Sequence, residues 1–329
     1  MAKIAHGVLG FLLFSLVHVS AEAEWLYQRH AIMGTDINIT LWHSDERLAQ
    51  KAASLVESEM HRIDGLLSPY KPESELSQLN RSASKKPFVA SPELFRIVER
   101  ALHYSRLSEG AFDISFAAVG QHYDYRKGLQ PDAKTKAKYL SGINFLNIEL
   151  DAARQSIFFK HKHLQIDLGG IAKGYAVDRS IELVKSLGIE HASVSAGGDS
   201  SVLGDKRGRP WLVGIKNPRG QPGVALSLPL LDAAISTSGD YERFFIDEDS
   251  GERIHHIINP ASGEAVGGLA SVSVIGPEGF DTDPLSTTVF VLGLEKGLRL
   301  IERLPEFDCI IIDRKGKVHY SSGFQSPEH

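Results

Sequence analysis

The chain has 329 residues, of which 42% are hydrophobic and 23% are charged, which is the composition of a globular protein with a substantial core. A net charge of −5, with no run rich in lysine and arginine, gives no reason to expect nucleic-acid binding. The single cysteine, Cys309, excludes a disulfide within the chain. Its mostly apolar neighbours indicate a buried structural thiol rather than a nucleophile.

The amino terminus has the pattern of a secretory signal peptide. Lys3 precedes an apolar run over residues 7–19, and small residues suited to signal peptidase follow within residues 19–23. The run is short for a membrane span, so we predict cleavage and an exported chain that begins near Glu22 or Glu24. An uncleaved anchor is the alternative. No cysteine stands at the cleavage position, so we expect no lipid anchor.

Apolar periodicity predicts the elements of the amino-terminal half. Alternation over residues 37–41 is typical of a strand, and residues 46–66 have one apolar helical face. We expect a second helix to begin at Ser91-Pro92, a cap residue followed by proline at the first helical position, and to end at Gly110. Short strand-like runs follow at residues 145–150 and 157–160.

The most informative segment extends from Asp167 to Asp178. A β-like run over residues 164–168 contains Asp167, two glycines and Lys173 follow, and a helical pattern covers residues 171–187. Free N–H groups at such a turn suit an anionic phosphate, although a plain tight turn also explains the pattern. The spacing matches neither GxGxxG nor GxxxxGK[ST], which argues against a Rossmann or P-loop interpretation.

Beyond residue 188 the pattern is mostly β, and helices return near the end. The expected strands cover residues 192–196, 211–216, 233–237, 254–258, 270–275, 307–313 and 318–320, and the expected helices cover residues 284–292 and 294–304. Helices and strands are interspersed without a regular βαβ alternation. We therefore predict an α+β fold of one compact unit.

Asp283 and Thr287 are four residues apart, so on a helix their oxygen atoms face the same way. Hard oxygen ligands of this kind, with backbone carbonyls and substrate phosphates, suit Mg²⁺. The alternative is that Asp283 is an N-cap before Pro284 at the first helical position. Both roles are compatible with the sequence.

Two further turns contain small and polar residues. Residues 195–199 place two glycines and an aspartate after a strand, which fits either a ligand-binding turn or a hairpin or bulge. Residues 236–241 could offer hydroxyls and amides to a ligand, or form a surface turn.

His255 and His256 are adjacent, so on a strand they would point to opposite faces and would not bind one metal together. One of them could act as a general base, and a structural role is the alternative. With few other clustered histidines and no useful cysteine, a zinc site is not expected.

In their order along the chain, these motifs resemble the FAD:protein FMN transferase family, also called the ApbE family. The resemblance covers about residues 27–320. The motifs that carry it are Met33-Gly34-Thr35, Leu67-Ser68-Pro69-Tyr70 with Ser74-Glu75-Leu76, Gly110-Ala111-Phe112-Asp113-Ile114, the Asp167–Asp178 run, Ala196-Gly197-Gly198-Asp199, Ser236-Thr237-Ser238-Gly239-Asp240-Tyr241, His256-Ile257-Ile258-Asn259-Pro260-Ala261-Ser262-Gly263 and Asp283–Thr287 before Phe290-Val291-Leu292-Gly293.

The resemblance implies a Mg²⁺-dependent enzyme that transfers FMN from FAD to a threonine or serine hydroxyl of an acceptor protein and releases AMP. Acceptors in the family are exported redox proteins, typically subunits of membrane electron-transfer complexes, so a periplasmic location is expected. The implied organisation is a signal peptide at residues 1–21 and one ApbE-like domain at residues 24–329, with mixed helices and a mainly antiparallel sheet. A Mg²⁺-dependent FAD pyrophosphatase and a non-catalytic FAD-binding protein are the alternatives.

The resemblance also implies roles for individual residues. His256 is the expected base, and Asp283 the catalytic carboxylate. The expected metal ligands are Gly170, through its carbonyl, with Asp283 and Thr287. The expected FAD contacts are Met33, Ala111, Phe112, Asp113, Asp167, Lys173 and Ile257.

This sequence departs from the family pattern at three places. It lacks the lipobox cysteine, which affects anchoring rather than chemistry. Asn259 replaces the commoner aspartate before Pro-x-x-Gly and removes a charge from that turn. Thr282 stands where alanine is usual, and Pro284 follows the metal aspartate. We expect the metal site to survive, because proline fits a first helical turn.

Overall fold

The computed structural model of the chain describes residues 24–219 and 223–324. The predicted signal peptide, residues 1–21, lies outside the described residues. Among the helices of the described part, none is both long and apolar enough to span a membrane.

The described residues form helices and strands in mixed order. The α-helices are α1 (Glu46–Leu67), α2 (Glu75–Ser82), α3 (Pro92–Leu107), α4 (Ala117–Gly120), α5 (Ala133–Leu140), α6 (Ala172–Ser186) and α7 (Gly279–Ile301). The strands are β1 (Leu26–Ile32), β2 (Thr35–Trp42), β3 (Phe88–Val89), β4 (Ile148–Asp151), β5 (Ser156–Phe159), β6 (His191–Ala196), β7 (Asp199–Leu203), β8 (Trp211–Lys216), β9 (Val224–Leu230), β10 (Ala233–Gly239), β11 (Phe244–Ile246), β12 (Arg253–His255), β13 (Ile258–Asn259), β14 (Glu264–Ala265), β15 (Leu269–Gly276), β16 (Asp308–Asp313) and β17 (Val318–Tyr320).

An eight-stranded sheet forms the centre of the molecule. Its strand order is β1-β2-β6-β7-β10-β15-β16-β17, and every neighbouring pair is antiparallel. The other strands form small sheets, namely β3-β5-β4, β8-β9, β11-β12 and β13-β14. The predicted α+β fold with a mainly antiparallel sheet is therefore confirmed.

The helices begin where the sequence provides caps. The Asp45 carboxylate accepts hydrogen bonds from Arg47 N and Leu48 N at the start of α1. Ser91 caps α3, and Pro92 occupies its first turn, as predicted. The buried face of α1 consists of Ala49, Ala52, Ala53, Val56, Met60, Ile63 and Leu67. This apolar stripe packs against α6, β1 and β2.

Helices α6 and α7 pack against each other and against the middle of the sheet. Gly174 is required at their contact, because a Cβ there would lie 2.0 Å from Gly279 O and 2.7 Å from Asp283 Cβ. The close approach places the first turn of α6 against the start of α7. Gly293, at φ 76° and ψ 178°, separates the two helical runs of α7 that the sequence predicts.

Three predicted strands differ from the structure. Residues 164–168 are extended but pair with no strand, because the Asn80 side chain bonds both Ile166 N and Ile166 O at 2.9 Å. Residues 145–147 form a 3₁₀ turn before β4. The expected strand over residues 254–258 is interrupted between β12 and β13. Strands β1, β3, β7, β9, β11 and β14 and helices α2, α4 and α5 were not predicted.

Candidate active site

A buried ion-pair cluster joins α6, α7 and the turn between β6 and β7. Lys173 Nζ lies 2.6 Å from Asp199 Oδ2 and 3.5 Å from Asp283 Oδ2. Both carboxylates are almost fully buried, and a quarter of the Lys173 side chain is exposed. One lysine of α6 therefore pairs with a carboxylate of β7 and with a carboxylate of α7.

Burial and charge act against each other in this cluster. Burial alone would lower the pKa of Lys173, but the charges of Asp199 and Asp283 raise it above its usual value, so the ammonium remains charged. Burial, and then the charge of Asp199, raise the pKa of Asp283. A cation bound at Asp283 would favour the ionised carboxylate.

The first turn of α6 leaves a carbonyl free. In a regular helix Gly174 N would bond the carbonyl of Gly170, but it donates to Asp283 Oδ2 at 3.0 Å instead. Within the described residues, no hydrogen bond reaches the Gly170 carbonyl or Asp283 Oδ1. Thr287 Oγ1 lies 3.5 Å from the position of a Cβ on Gly170. These oxygen atoms fit the donor set that Mg²⁺ prefers.

Ser238 holds Thr287 in place. Its hydroxyl lies 2.8 Å from Ser286 Oγ and 3.1 Å from Thr287 Oγ1. In the same stretch, Ser236 bonds Thr282 at 2.8 Å. The polar turn of residues 236–241 therefore belongs largely to β10 and positions α7 against the sheet. The unusual Thr282 is accommodated by Ser236.

The N-cap interpretation of Asp283 is wrong. Helix α7 begins at Gly279, and its first N–H groups are capped by Asp178 of α6, which accepts from Gly279 N at 2.8 Å and Phe280 N at 2.7 Å. Asp283 thus lies in the second turn, and Pro284 follows the first turn rather than occupying it. The Asp283 carboxylate is free for another role because Asp178 supplies the cap.

Two hairpin turns of the central sheet lie next to each other, and the second of them supplies Asp199 to the cluster. Met33 and Gly34, with φ 56° and 69°, form the two-residue turn between β1 and β2, and a positive φ is uncommon for methionine. Gly197 and Gly198 form the turn between β6 and β7, as the hairpin interpretation predicts. A Cβ at Gly198 would lie 2.5 Å from Thr237 O, so only glycine fits. Asp199 follows at once and meets Lys173.

The Ala111-Phe112-Asp113 segment lies beside the first turn of α6. The Phe112 ring is buried, and its Cε2 lies 3.2 Å from the position of a Cβ on Gly170. Asp113 Oδ1 accepts from Ser115 N at 2.8 Å, and Oδ2 accepts from Phe145 N at 2.9 Å. Both carboxylate oxygens thus anchor local structure. An FAD contact by Asp113 stays a prediction.

His255 and His256 have different surroundings. His255 is buried and bonds Val266 O through Nε2 at 2.7 Å, which is a structural role. His256 N donates to Arg243 O at 3.1 Å, and the buried His256 Nδ1 has no partner within the described residues. Ile257 is buried beside it. Of the two histidines, only His256 therefore has a buried ring nitrogen without a hydrogen-bond partner in the described part of the chain.

Burial, and then nearby charge, sets the protonation of His256 and Asp167. Burial, and then the positive charges of Arg243, His255 and Lys173, lower the pKa of His256 to about 3, so its ring is neutral at pH 7. Asp167 Oδ1 accepts from Gly169 N at 2.6 Å. Burial raises the pKa of Asp167, and Gly169 N–H, Arg243 and Lys173 oppose that rise.

The structure brings most of the expected site residues together around α6 and α7. Within the described part of the chain, no three His, Cys, Asp or Glu side chains form a metal-binding group. The expected Mg²⁺ set has one carboxylate, one hydroxyl and one carbonyl, so it is of a different kind. Three site residues were missed, namely Asp199, Ser238 and Arg243. The first two lie in motifs that the sequence showed, and Arg243 lies in no motif.

Comparison with known proteins identifies the family of the chain. A family model described as the ApbE family matches residues 33–311. A protein of Klebsiella pneumoniae named FAD:protein FMN transferase is 30% identical over 295 residues, which cover 88% of this chain and 90% of that protein. A protein of the same name from Treponema pallidum is 32% identical over 312 residues, which cover 89% of this chain and 85% of that protein.

Solved structures agree with the fold. The ApbE protein of Thermotoga maritima has a TM-score of 0.84 and 29% identity, covering 92% of this chain and 98% of that chain. The flavin transferase ApbE of Vibrio cholerae has a TM-score of 0.81 and 25% identity, covering 92% of this chain and 99% of that chain. The family model, the named relatives and the solved structures agree over most of the length of this chain. This chain therefore belongs to the ApbE family.

Proposed function

We propose that this protein is a Mg²⁺-dependent FAD:protein FMN transferase, the activity by which its relatives are named. The observation that carries the proposal is the first turn of α6. There Gly174 N donates to Asp283 and leaves the Gly170 carbonyl, Asp283 Oδ1 and the nearby Thr287 hydroxyl as oxygen donors. Lys173 in the same turn contributes a cation beside a substrate pyrophosphate.

In the proposed reaction, a threonine or serine hydroxyl of the acceptor attacks the FMN phosphorus of FAD. A new P–O bond forms to the acceptor oxygen, the bond to the bridging oxygen breaks, and that oxygen leaves on AMP with the electron pair. A metal held by Gly170, Asp283 and Thr287 would supply Lewis-acid stabilisation of the phosphoryl charge. Lys173 keeps Asp199 and Asp283 in position throughout.

His256 is the proposed acceptor of the hydroxyl proton. Its neutral ring has an unpartnered Nδ1 that can take a proton. Its low pKa is partly due to Arg243 and Lys173, and the pyrophosphate charge would offset these cations and raise the proton affinity of the ring. We expect His256→Ala to bind FAD but to transfer FMN slowly.

We further propose that the acceptor is an exported redox protein of a membrane electron-transfer complex and that transfer occurs in the periplasm. The apolar run over residues 7–19, with small residues after it, supports export.

The test mixes purified protein, FAD, Mg²⁺ and an acceptor domain with an Asp-x-x-Ser/Thr-x-Thr motif, and reads the intact acceptor mass. We expect a gain of one FMN, blocked by EDTA and accompanied by AMP. AMP and free FMN without a mass gain would identify a pyrophosphatase. If FAD binds but neither product forms, turnover is refuted and a non-catalytic FAD-binding protein is favoured.

A further inference from the structure

Three arginines lie around the turn that follows β10, and their partners differ. Arg219 Nη1 bonds Asp240 Oδ1 at 2.8 Å, and Arg253 Nη1 lies 3.6 Å from the same oxygen while its guanidinium stacks over Phe244. The Arg243 side chain is exposed. Within residues 24–219 and 223–324 it has no carboxylate at ion-pair distance and makes no hydrogen bond. Of the three arginines, only Arg243 therefore has a side chain without an ion-pair or hydrogen-bond partner in the described residues.

Arg243 nevertheless faces the site. Its Nη2 lies 3.3 Å from the position of a Cβ on Gly34, in the turn between β1 and β2. Its carbonyl accepts from His256 N at 3.1 Å, which fixes the backbone of both residues together. Its charge acts on Asp167, Lys173 and His256, the groups that define the site. The guanidinium therefore lies beside the turn between β1 and β2 and within electrostatic range of the site.

Without Arg243, the negative charges of the site outnumber the positive charge of Lys173. Lys173 is already shared by Asp199 and Asp283, and Asp167 adds a third carboxylate. A pyrophosphate brings two more negative charges into the same space, and like charges repel strongly where water is excluded. A guanidinium fork matches phosphate oxygens in geometry and stays charged at any working pH.

We propose that Arg243 binds the pyrophosphate of FAD and stabilises the negative charge that passes to AMP when the bond to the bridging oxygen breaks. The inference rests on the proposed function, because FAD is taken as the substrate. Arg243 donates hydrogen bonds to phosphate oxygens, and no proton transfer is assigned to it. It is a binding residue that the family motifs in this sequence do not include.

The test compares Arg243→Gln, Arg243→Lys and a matched control, Lys216→Gln. Lys216 is an exposed cation on β8 that pairs with Glu242 at 3.2 Å, so its loss changes the net charge equally near the same turn. FAD binding is measured by flavin fluorescence in EDTA, which prevents turnover, at several salt concentrations. We expect Arg243→Gln to weaken FAD binding about tenfold and to reduce its salt dependence. Arg243→Lys should lose less, and the control should match wild type.

Turnover gives a second readout. With Mg²⁺ and acceptor present, Arg243→Gln should lower kcat as well as raise KM for FAD, since leaving-group charge grows in the transition state. Unchanged FAD affinity and salt dependence in Arg243→Gln would overturn the inference, and so would an equal loss in Lys216→Gln. The binding test needs no turnover. A wild-type protein that binds FAD through Arg243 but transfers no FMN would refute the proposed function alone.

Discussion

The two sides of the site differ in how far the protein satisfies its own polar groups. On the paired wall, Lys173, Asp199 and Asp283 bond to one another on the ends of α6, α7 and a hairpin. On the open wall, His256 has an unpartnered ring nitrogen and Arg243 has no ion-pair partner within the described chain. The paired wall rests on regular elements, and the open wall rests on turns.

This difference separates two kinds of mutational effect. A change in the paired wall leaves a buried charge without its partner and therefore costs free energy of folding as well as activity. A change in the open wall removes a group that has no partner within the described chain. It should therefore affect ligand binding, turnover or the pH dependence of stability while the fold persists.

Asp283→Asn should give the largest loss. The amide keeps the shape but removes the charge that faces Lys173 and the proposed metal, so we expect transfer to fall about 10³-fold. AMP release as a function of Mg²⁺ concentration measures this. Glu295→Gln, an exposed position of α7, is the control and should behave as wild type. Wild-type turnover with unchanged Mg²⁺ dependence in Asp283→Asn would contradict the assignment.

Lys173→Met should destabilise the fold. It leaves Asp199 and Asp283 buried without a cation, and we expect a loss of about 3 kcal/mol in the free energy of unfolding by urea. Lys160→Met, which breaks an exposed pair with Glu149, should cost less than about 1 kcal/mol. If both variants lost the same small amount of unfolding free energy, the paired wall would not be a structural unit.

The pH dependence of stability should reveal His256. Its folded pKa of about 3 lies below the ordinary value of 6.5, so between these values the unfolded chain binds more protons. Stability is therefore lost as pH falls from 6.5 towards 3. His256→Gln should flatten urea unfolding over this window, whereas His61→Gln, at an exposed position of α1, should not. Identical profiles for wild type and His256→Gln would show that the ring is not desolvated.

Asn259→Asp should have the smallest effect. Asn259 Oδ1 accepts from Ala261 N at 2.9 Å, and a carboxylate oxygen can accept the same hydrogen bond. We expect a change in unfolding free energy below about 0.5 kcal/mol and an unchanged Kd for FAD. A change above about 1 kcal/mol would mean that the missing charge of this turn matters to the open wall.

Sequence reasoning succeeded where one pattern determined one element. Ser91-Pro92 marked the start of α3, and Gly293 separated the two runs of α7. It failed where a distant group decided the outcome. Residues 164–168 look like a strand, but the Asn80 side chain takes the place of a neighbouring strand. No local pattern shows that the side chain of a residue in α2 will do this.

For the site too, local motifs were predictable from the sequence, and contacts with distant groups were not. The resemblance supplied Gly170, Asp283 and Thr287 as metal ligands, but only the structure shows that Asp283 diverts the Gly174 N–H from the Gly170 carbonyl. Asp283 also looked like an N-cap, because the sequence does not show that Asp178, from another helix, already caps α7. Arg243 escaped notice because a lone surface arginine is ordinary until its neighbours are known.

The Asp178 cap has a consequence for the order of folding. Asp178 and Gly279 are separated by 101 positions in the chain, so the start of α7 cannot gain its cap until α6 has docked. During synthesis, α6 leaves the ribosome long before α7 exists, and the polypeptide between them supplies four of the eight strands of the central sheet. The catalytic pocket should thus be assembled late, in one cooperative step. A nascent chain that stops before residue 279 should retain no affinity for FAD.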